Sequence, residues 1–297
     1  TIQDSSATEE TYLSNKIKKL QELTIEHNFM FCAVMMDPEI CRLFLERALD
    51  MQIVRVEVNR EKSFIYNPDY RSVVLDVYVK DETNTHYDVE MQTVSEKDLP
   101  RRARYYHSQV DMEILEAGCE YRNLPNAYVI FICDFDPFGE KKYRYNCATY
   151  CTETGKRIED GRRTVFLNTV GKNPEEVPKE LMKFLDFVHA GLEDSEKDWD
   201  DTYIRSLQKR VSEIKVSRKM GGAYMRYSAL MQDERREGYI EASQSFLLKV
   251  LAAKGSITEK SKEKIQNEMD PNILEQWINV AINCTDTEDF AETVKLK

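Results

Sequence analysis

The chain has 297 residues, of which 41% are hydrophobic and 32% are charged, a composition typical of a soluble globular protein. Its formal net charge of −11 argues against a uniformly basic nucleic-acid binder, because DNA binding requires Lys and Arg to neutralise phosphates. No apolar run approaches the roughly 20 residues of a membrane-spanning helix, so we expect no membrane partner.

The cysteines and the N-terminal residues indicate the cellular compartment of the protein. Seven cysteines are scattered without a regular framework, which is typical of reduced thiols in a cytoplasmic protein. Cys147 and Cys151 are spaced as two zinc ligands could be, but no matching second pair follows, so ordinary thiols are the simpler interpretation. Residues 1–10 are polar and acidic and lack the pattern of a signal peptide. We therefore expect a cytoplasmic protein.

The predicted elements of the first half alternate between helices and strands. Two helices lie within 13–51, the second beginning at Asp37-Pro38, followed by strands at 53–58, 72–80 and 86–93. A helix from Asp98 to about Gly118 precedes a buried strand at 127–133 and a turn at 136–139.

The second half changes from strands to helices. Strands are predicted at 143–150 and 164–167, and a helix at 174–190. From Trp199 onward the pattern is helical, with breaks predicted at Gly221-Gly222, Gly238, Gly255 and Asp270-Pro271. Residues 203–219 carry six basic side chains and one Glu, so this helix could lie along a DNA backbone or simply balance the acidic segment before it.

The hairpin formed by 72–80 and 86–93 carries the pattern that indicates chemistry. With its turn centred on Thr83, residues whose numbers sum to 166 are paired, so Asp76 lies opposite Glu90. Directly opposed side chains are about 4.5–5.5 Å apart at Cβ, where two like charges repel. Asp76 also lies within an apolar run, and burial increases the free-energy cost of its ionisation.

A divalent cation would neutralise Asp76 and Glu90. Mg²⁺ prefers oxygen ligands and commonly takes one or two carboxylates, with water and phosphate oxygens completing its shell, and Mn²⁺ could replace it. Gln92, on the same face as Glu90, could orient a water or a phosphate oxygen. The alternative is a solvated hairpin face that carries acids without chemistry, and a slip of one residue would turn Asp76 to the apolar side.

These residues resemble the PD-(D/E)XK nuclease family transposases, also called recombination-promoting nucleases. The resemblance rests on Leu75-Asp76-Val77-Tyr78-Val79 and Val89-Glu90-Met91-Gln92, with further similar blocks at 23–41, 102–106, 128–139, 166–169 and 224–225. It implies an α/β restriction-endonuclease-like core, a mixed sheet flanked by helices, that cleaves DNA with a divalent metal. We assign this core to residues 13–192 and an α-helical C-terminal region to 199–297.

The resemblance also implies roles for individual residues. Asp76 and Glu90 match the family's metal-binding acids, and Gln92 stands where the wider superfamily often has Lys. Asn28 stands where an Asp is usual, and Cys32 where a Lys is common. The superfamily sometimes draws a further acid from the first helix, for which Glu22 and Glu26 are both candidates.

Two functional hypotheses follow. The first is a metal-dependent DNA endonuclease acting in recombination or transposition, with Asp76, Glu90 and Gln92 as its centre. The second is a nuclease-fold protein with a weakened centre that binds DNA or a protein partner, motivated by Asn28, Cys32 and the overall acidity.

Further residues could serve DNA binding and assembly. Arg101, Arg102 and Arg104 could hold phosphates, or could form a charged solvent face. Tyr106 could contact DNA or belong partly to the core. The C-terminal region could form a homodimer, which would suit cleavage of both strands.

Overall fold

A computed structural model describes residues 18–64, 73–115 and 117–295, without the side chains of 60–64 and 73–74. The first ten residues, the predicted helix start at Leu13 and the predicted strand start at Ser72 lie outside these ranges. None of the helices within them is long and apolar enough to cross a membrane. The seven cysteines are free thiols, as predicted.

The described residues of the first part of the chain form a mixed six-stranded sheet. Its strands are β1 Val56–Phe64, β2 Val73–Asp81, β3 His86–Gln92, β4 Ala127–Cys133, β5 Arg144–Cys147 and β6 Arg162–Asn168. Their spatial order is β1-β2-β3-β4-β6-β5. Neighbouring strands are antiparallel from β1 to β3 and between β5 and β6, whereas β3, β4 and β6 run parallel. The predicted α/β class with a mixed sheet is confirmed.

Helices flank this sheet and then form the C-terminal part. They are α1 Asn28–Met35, α2 Pro38–Leu49, α3 Leu99–Ile114, α4 Lys179–His189, α5 Leu192–Ser195, α6 Thr202–Val216, α7 Arg218–Ala252, α8 Glu259–Gln266, α9 Pro271–Asn283 and α10 Thr287–Thr293. Helix α2 begins as predicted, because the Asp37 carboxylate accepts from the backbone N–H groups of Glu39 and Ile40 while Pro38 occupies the first turn. The basic helix predicted at 203–219 ends at Val216.

The centre of the sheet is buried on both faces. All seven residues of β3 are buried, and β4 is buried except for a half-buried Tyr128. Helix α3 covers one face, where Phe131 stacks against Tyr106 and Phe166. Glu90 pairs with Phe131 in the parallel β3–β4 register, so its side chain faces α3 rather than solvent.

The described chain forms two compact units, Lys18–Gly221 and the residues from Gly222 onward. This division comes later than the predicted boundary near 192–199 because α6 packs on α1 and α2. Tyr203 Oη donates to the backbone oxygen of Ile40 at 3.1 Å, and Arg47 forms an ion pair with Asp201 at 2.9 Å. Helix α6 therefore belongs to the unit that contains the sheet.

The second unit is helical, as predicted. Its core is a cluster of side chains from α7 to α10: Ile240, Leu247, Leu251, Ile265, Leu274, Ala281, Cys284 and Phe290. The predicted breaks at Gly255 and Asp270-Pro271 are confirmed, but those at Gly221-Gly222 and Gly238 are wrong, because α7 runs through them without interruption. A helical Gly costs only about 1 kcal/mol relative to Ala, which a 35-residue helix tolerates.

Candidate active site

The β2–β3 pairing brings the two predicted acids together. Val77 pairs with Val89 and Tyr78 with Asp88, so paired residues sum to 166 as predicted. The paired backbone ladder ends at Val77, and at Asp76 side-chain carboxylates accept the hydrogen bonds between the two strands. The Asp76 N–H donates to Glu90 Oε1 at 3.0 Å, and the Met91 N–H donates to Asp76 Oδ2 at 3.2 Å. Each carboxylate is therefore held on the backbone of the opposite strand.

Helix α1 reaches the same site through its first residue. Asn28 Nδ2 donates to Asp76 Oδ2 at 2.6 Å, and Cys32, one turn later, donates from Sγ to Asn28 Oδ1 at 3.4 Å. The two positions at which the sequence departs from the resembled pattern thus form one chain of contacts that ends on Asp76. An amide donor fixes the orientation of that carboxylate without adding charge.

Glu90 lies in an environment that disfavours its ionised form. It is only 1% exposed, and burial together with the nearby charge of Asp76 raises its pKa to about 7. The alternative of a solvated hairpin face is therefore wrong for this residue. A positive charge beside these carboxylates would stabilise them both.

Asp88 is a further acid at this site to which the sequence assigned no role. It is 1% exposed, and burial, followed by the charge of Glu90, raises its pKa well above the usual range. Neither of its carboxyl oxygens accepts a hydrogen bond from any described residue, although a protonated Asp88 could donate to Glu90. The alternation Asp88, Glu90, Gln92 along β3 was the signal that could have identified it.

Arg102 of α3 supplies the positive charge in this structure. Its guanidinium donates to Glu90 Oε2 at 2.9 Å, to Gln92 Oε1 at 2.8 Å and to Tyr106 Oη at 2.7 Å. The sequence predicts that Arg102 holds a phosphate near the acids, whereas in the structure it pairs directly with Glu90. Because an arginine already bridges Glu90 and Gln92, any cation at Asp76 and Glu90 must share or replace this ion pair.

The other predicted site residues are placed differently. Gln92 is buried, and its Nε2 donates to the Val94 oxygen at 2.7 Å, so both ends of its amide have protein partners. Tyr106 is 8% exposed and stacks on Phe131, so its ring belongs to the core and has no free face for a DNA base. Arg101 and Arg104 are exposed on α3.

The two candidate acids before α1 have other neighbours. Glu22 accepts from the Lys19 N–H at 3.0 Å. Glu26 lies beside Asp134, and burial followed by the charge of Asp134 raises its pKa. Asp134 also contacts His189 Nδ1 at 2.5 Å. Asp136 is a turn residue, as predicted, since it accepts from the N–H groups of Phe138 and Gly139.

The residues present fit a cation held by two carboxylates. Asp76 and Glu90 are hard oxygen ligands, and burial, followed by the charge of Asp76, raises the pKa of Glu90, so a nearby cation would stabilise the ionised pair. The described ranges contain no group of three or more His, Cys, Asp or Glu arranged to hold a metal ion. Water and phosphate oxygens would therefore have to complete the shell, as is common for Mg²⁺.

Comparison with known proteins identifies a family. A family model described as PD-(D/E)XK nuclease family transposase matches residues 30–237, which include the sheet, α3 and both acids. No curated protein and no solved structure matches the chain significantly. Nucleases of the PD-(D/E)XK type generally use divalent metals and act on DNA.

Proposed function

Because the chain belongs to the PD-(D/E)XK nuclease family transposases, we propose that it is a DNA endonuclease dependent on Mg²⁺ or Mn²⁺ that acts in recombination or transposition. One observation carries this proposal. Across β2 and β3, Glu90 accepts from the Asp76 N–H and Asp76 accepts from the Met91 N–H, at a site where burial, followed by the charge of Asp76, raises the pKa of Glu90 to about 7. Such an arrangement favours a bound cation.

The roles of the side chains follow from their contacts. Asp76 and Glu90 would hold the metal, which when bound would polarise the phosphoryl group and promote ionisation of water. Asn28 would keep Asp76 oriented through its 2.6 Å hydrogen bond. Arg102 is suited to exchange its carboxylate partner for a substrate phosphate, because a guanidinium binds both groups in the same bidentate manner. Gln92 would orient water or phosphate once its amide leaves Arg102 and Val94.

Cleavage of supercoiled plasmid tests this proposal. The wild-type protein should nick DNA with Mg²⁺ or Mn²⁺ and not with EDTA, and Asp76→Ala and Glu90→Ala should each reduce nicking to background. Glu57→Ala, which removes an exposed acid from the neighbouring strand, is the matched control and should cut normally. Equal nicking by wild type, Asp76→Ala and Glu90→Ala would disprove the assignment.

A second candidate function, a DNA-binding or protein-binding module with a weakened centre, is favoured by one observation. Arg102 already neutralises Glu90 and engages the Gln92 amide. Melting temperatures separate the two functions, because a ligand that binds only the folded state raises the melting temperature. The endonuclease should melt at a higher temperature with millimolar Mn²⁺, and Asp76→Ala should lose this effect. An unchanged melting temperature in a protein that still binds DNA would favour the module.

A further inference from the structure

A cavity of about 170 Å³ lies between α3 and the β5–β6 strand pair. Its lining includes Arg104 and His107 from α3, Thr149 from the segment after β5, and Arg162 and Thr164 from β6. This volume is many times the roughly 10–15 Å³ that one water molecule requires. The catalytic acids proposed above do not line the cavity, so it is a separate site.

The cavity is positively charged. Arg104 and Arg162 both line it, and no Asp or Glu is among its lining residues. The guanidinium of Arg104 forms no ion pair with any described residue. Arg162 donates to Thr149 Oγ1 at 3.3 Å, while its closest ion-pair contact is a long one, 4.0 Å from Nε to Asp160 Oδ2. Asp111 and Asp160, which are not lining residues, also interact with Arg162, and Asp160 Oδ2 accepts from Thr149 Oγ1 at 2.7 Å.

A buried histidine adds an unsatisfied polar atom. His107 is 2% exposed, and its Nε2 lies 3.0 Å from Thr164 Oγ1. Burial, followed by the charge of Arg162, lowers the pKa of His107 to about 3, so the ring is neutral at pH 7. Its Nδ1 has no hydrogen-bond partner within the described residues. When the Thr164 hydroxyl donates to Nε2, Nδ1 carries the proton and needs an acceptor.

We propose that this cavity binds a phosphate group, namely a backbone phosphate of the DNA that the enzyme cleaves. Two guanidinium groups and the Nδ1–H of a neutral imidazole together offer donors that phosphate oxygens accept, since the Thr149 hydroxyl already donates to Asp160 Oδ2 at 2.7 Å. Arg104 lies two residues after Arg102 on α3, a spacing that places the two side chains on opposite sides of the helix, so the cavity would hold a phosphate other than the one at the acids. This inference rests on the proposed function for identifying the phosphate as part of DNA. Phosphate binding by the cavity does not depend on that function.

Binding of a DNA duplex, measured by fluorescence anisotropy in EDTA over a range of salt concentrations, tests the proposal without cleavage. Arg104→Ala and Arg162→Ala should each weaken binding several-fold and reduce the slope of log K against log[salt] by about one. Arg163→Ala is the matched control, since Arg163 is the neighbouring residue on β6, is not among the lining residues and pairs with Glu159 at 2.9 Å. It should leave the slope unchanged.

The outcomes distinguish this inference from the proposed function. Wild-type-like binding by both cavity variants would overturn the inference while leaving the endonuclease proposal intact. Arg104→Lys and Arg162→Lys, which keep the charge but lose the bidentate geometry, provide second variants if the alanine variants fail to fold, and they should bind DNA with intermediate affinity. Lysine variants that bind as tightly as the wild type would count against the cavity.

Inorganic phosphate provides the second arm and separates the possible sources of the ligand. The ring resonances of His107, assigned with His107→Gln, should shift on addition of millimolar phosphate in the wild type and not in Arg162→Lys. If the wild type neither binds DNA nor nicks plasmid with Mg²⁺ or Mn²⁺, the proposed function fails, and a phosphate-dependent shift would assign the cavity to free phosphate or a nucleotide. No shift together with no DNA binding would overturn the inference.

Discussion

The side chain of Asn28 determines how many acidic groups meet at the candidate site. It donates to Asp76 Oδ2 at 2.6 Å, a distance at which a carboxylate in its place would face Asp76 as a like charge. With Asn at this position, the acids of the site are Asp76, Asp88 and Glu90, and Arg102 is the cation that pairs with Glu90. The departure from the resembled pattern therefore lowers the electrostatic cost of the metal-free fold.

The variant Asn28→Asp tests this interpretation. In EDTA at pH 8 it should melt at a lower temperature than the wild type, because it adds a third carboxylate beside Asp76 and Glu90. Addition of Mn²⁺ should restore more stability to the variant than to the wild type, since a cation then has one more ligand. Differential scanning fluorimetry measures both effects.

Asn28→Ala is the control for that experiment, because it removes the hydrogen bond without adding charge. It should lose some stability in EDTA but show no enhanced response to Mn²⁺. If Asn28→Asp and Asn28→Ala respond identically to the metal, residue 28 does not face a cation site.

Asp81 at the β2–β3 turn supports a second, pH-dependent prediction. Its carboxylate accepts from Thr83 N, Thr85 N and Tyr87 Oη at 2.6–2.9 Å. Burial alone would raise the pKa of Asp81, but these hydrogen bonds, led by that from Tyr87, outweigh burial and hold the pKa below its usual range. Asp81→Ala should therefore cost about 2–4 kcal/mol of unfolding free energy at pH 7, since buried donors lose their acceptor.

The sign of the pH effect follows from the lowered pKa. The contribution of Asp81 is fully present above the unfolded pKa and is lost as the pH falls through the folded pKa, so the difference between wild type and Asp81→Ala should shrink as the pH falls below the unfolded pKa. Urea titrations at pH 7 and pH 3.5 measure this difference, with Glu57→Ala as an exposed control. A difference that does not depend on pH would exclude a charged Asp81.

At the scale of elements, α7 shows that glycine does not reliably predict where a helix ends. Gly221, Gly222 and Gly238 predict helix breaks because glycine gains the most conformational freedom on unfolding. All three lie inside a continuous helix, whereas α6 ends at Val216 and α7 begins at Arg218. Local propensity contributes little free energy, and the buried side chains of α7, among them Tyr224, Ile240 and Leu247, outweigh it.

Gly238→Ala tests the continuity of α7. A Cβ at this position meets no atom within 4 Å, so the substitution should raise the unfolding free energy by about 0.5–1 kcal/mol. Gly139→Ala is the opposite control, because Gly139 has a φ of +77° that alanine adopts only with strain. Thermal denaturation should show stabilisation by the first substitution and destabilisation by the second. A loss of stability in Gly238→Ala would mean that the helix is broken there after all.

At the scale of the whole molecule, α6 decides where the chain can be shortened. Its buried residues, Tyr203, Ile204, Leu207 and Ile214, lie in the same compact unit as the sheet. The Arg47–Asp201 pair is mostly buried, with side-chain exposures of 16% and 7%, and breaking such a pair costs about 3–5 kcal/mol.

Two truncations should therefore behave differently. A chain that ends at Gly221 should keep a cooperative melting transition and the helical circular dichroism of its unit. A chain that ends at Glu196 should lose both, because α1 and α2 would expose the surface that α6 covers. Light scattering on the Gly221 truncation also tests the predicted homodimer, which should dissociate if the C-terminal unit holds it together. Cooperative folding of the Glu196 truncation would contradict the boundary found here.

The sequence by itself predicted the mixed order of strands and helices and the register of the β2–β3 hairpin, although not the continuity of α7. Period-two alternation and the position of the turn predicted that Asp76 faces Glu90, and Asp37-Pro38 predicted the start of α2. These features depend on neighbours within a few residues, and such short-range preferences can be read from the order of the residues alone.

Only the tertiary structure decided what surrounds those acids. Asn28 lies 48 residues before Asp76, and Arg102 lies 12 residues after Glu90. Each contacts its partner because its helix, α1 or α3, packs against the sheet at that point. The burial of Asp88 and the attachment of α6 to the first unit depend on the same docking. No local pattern encodes it, because the free energy of docking is the sum of many weak contacts between distant segments.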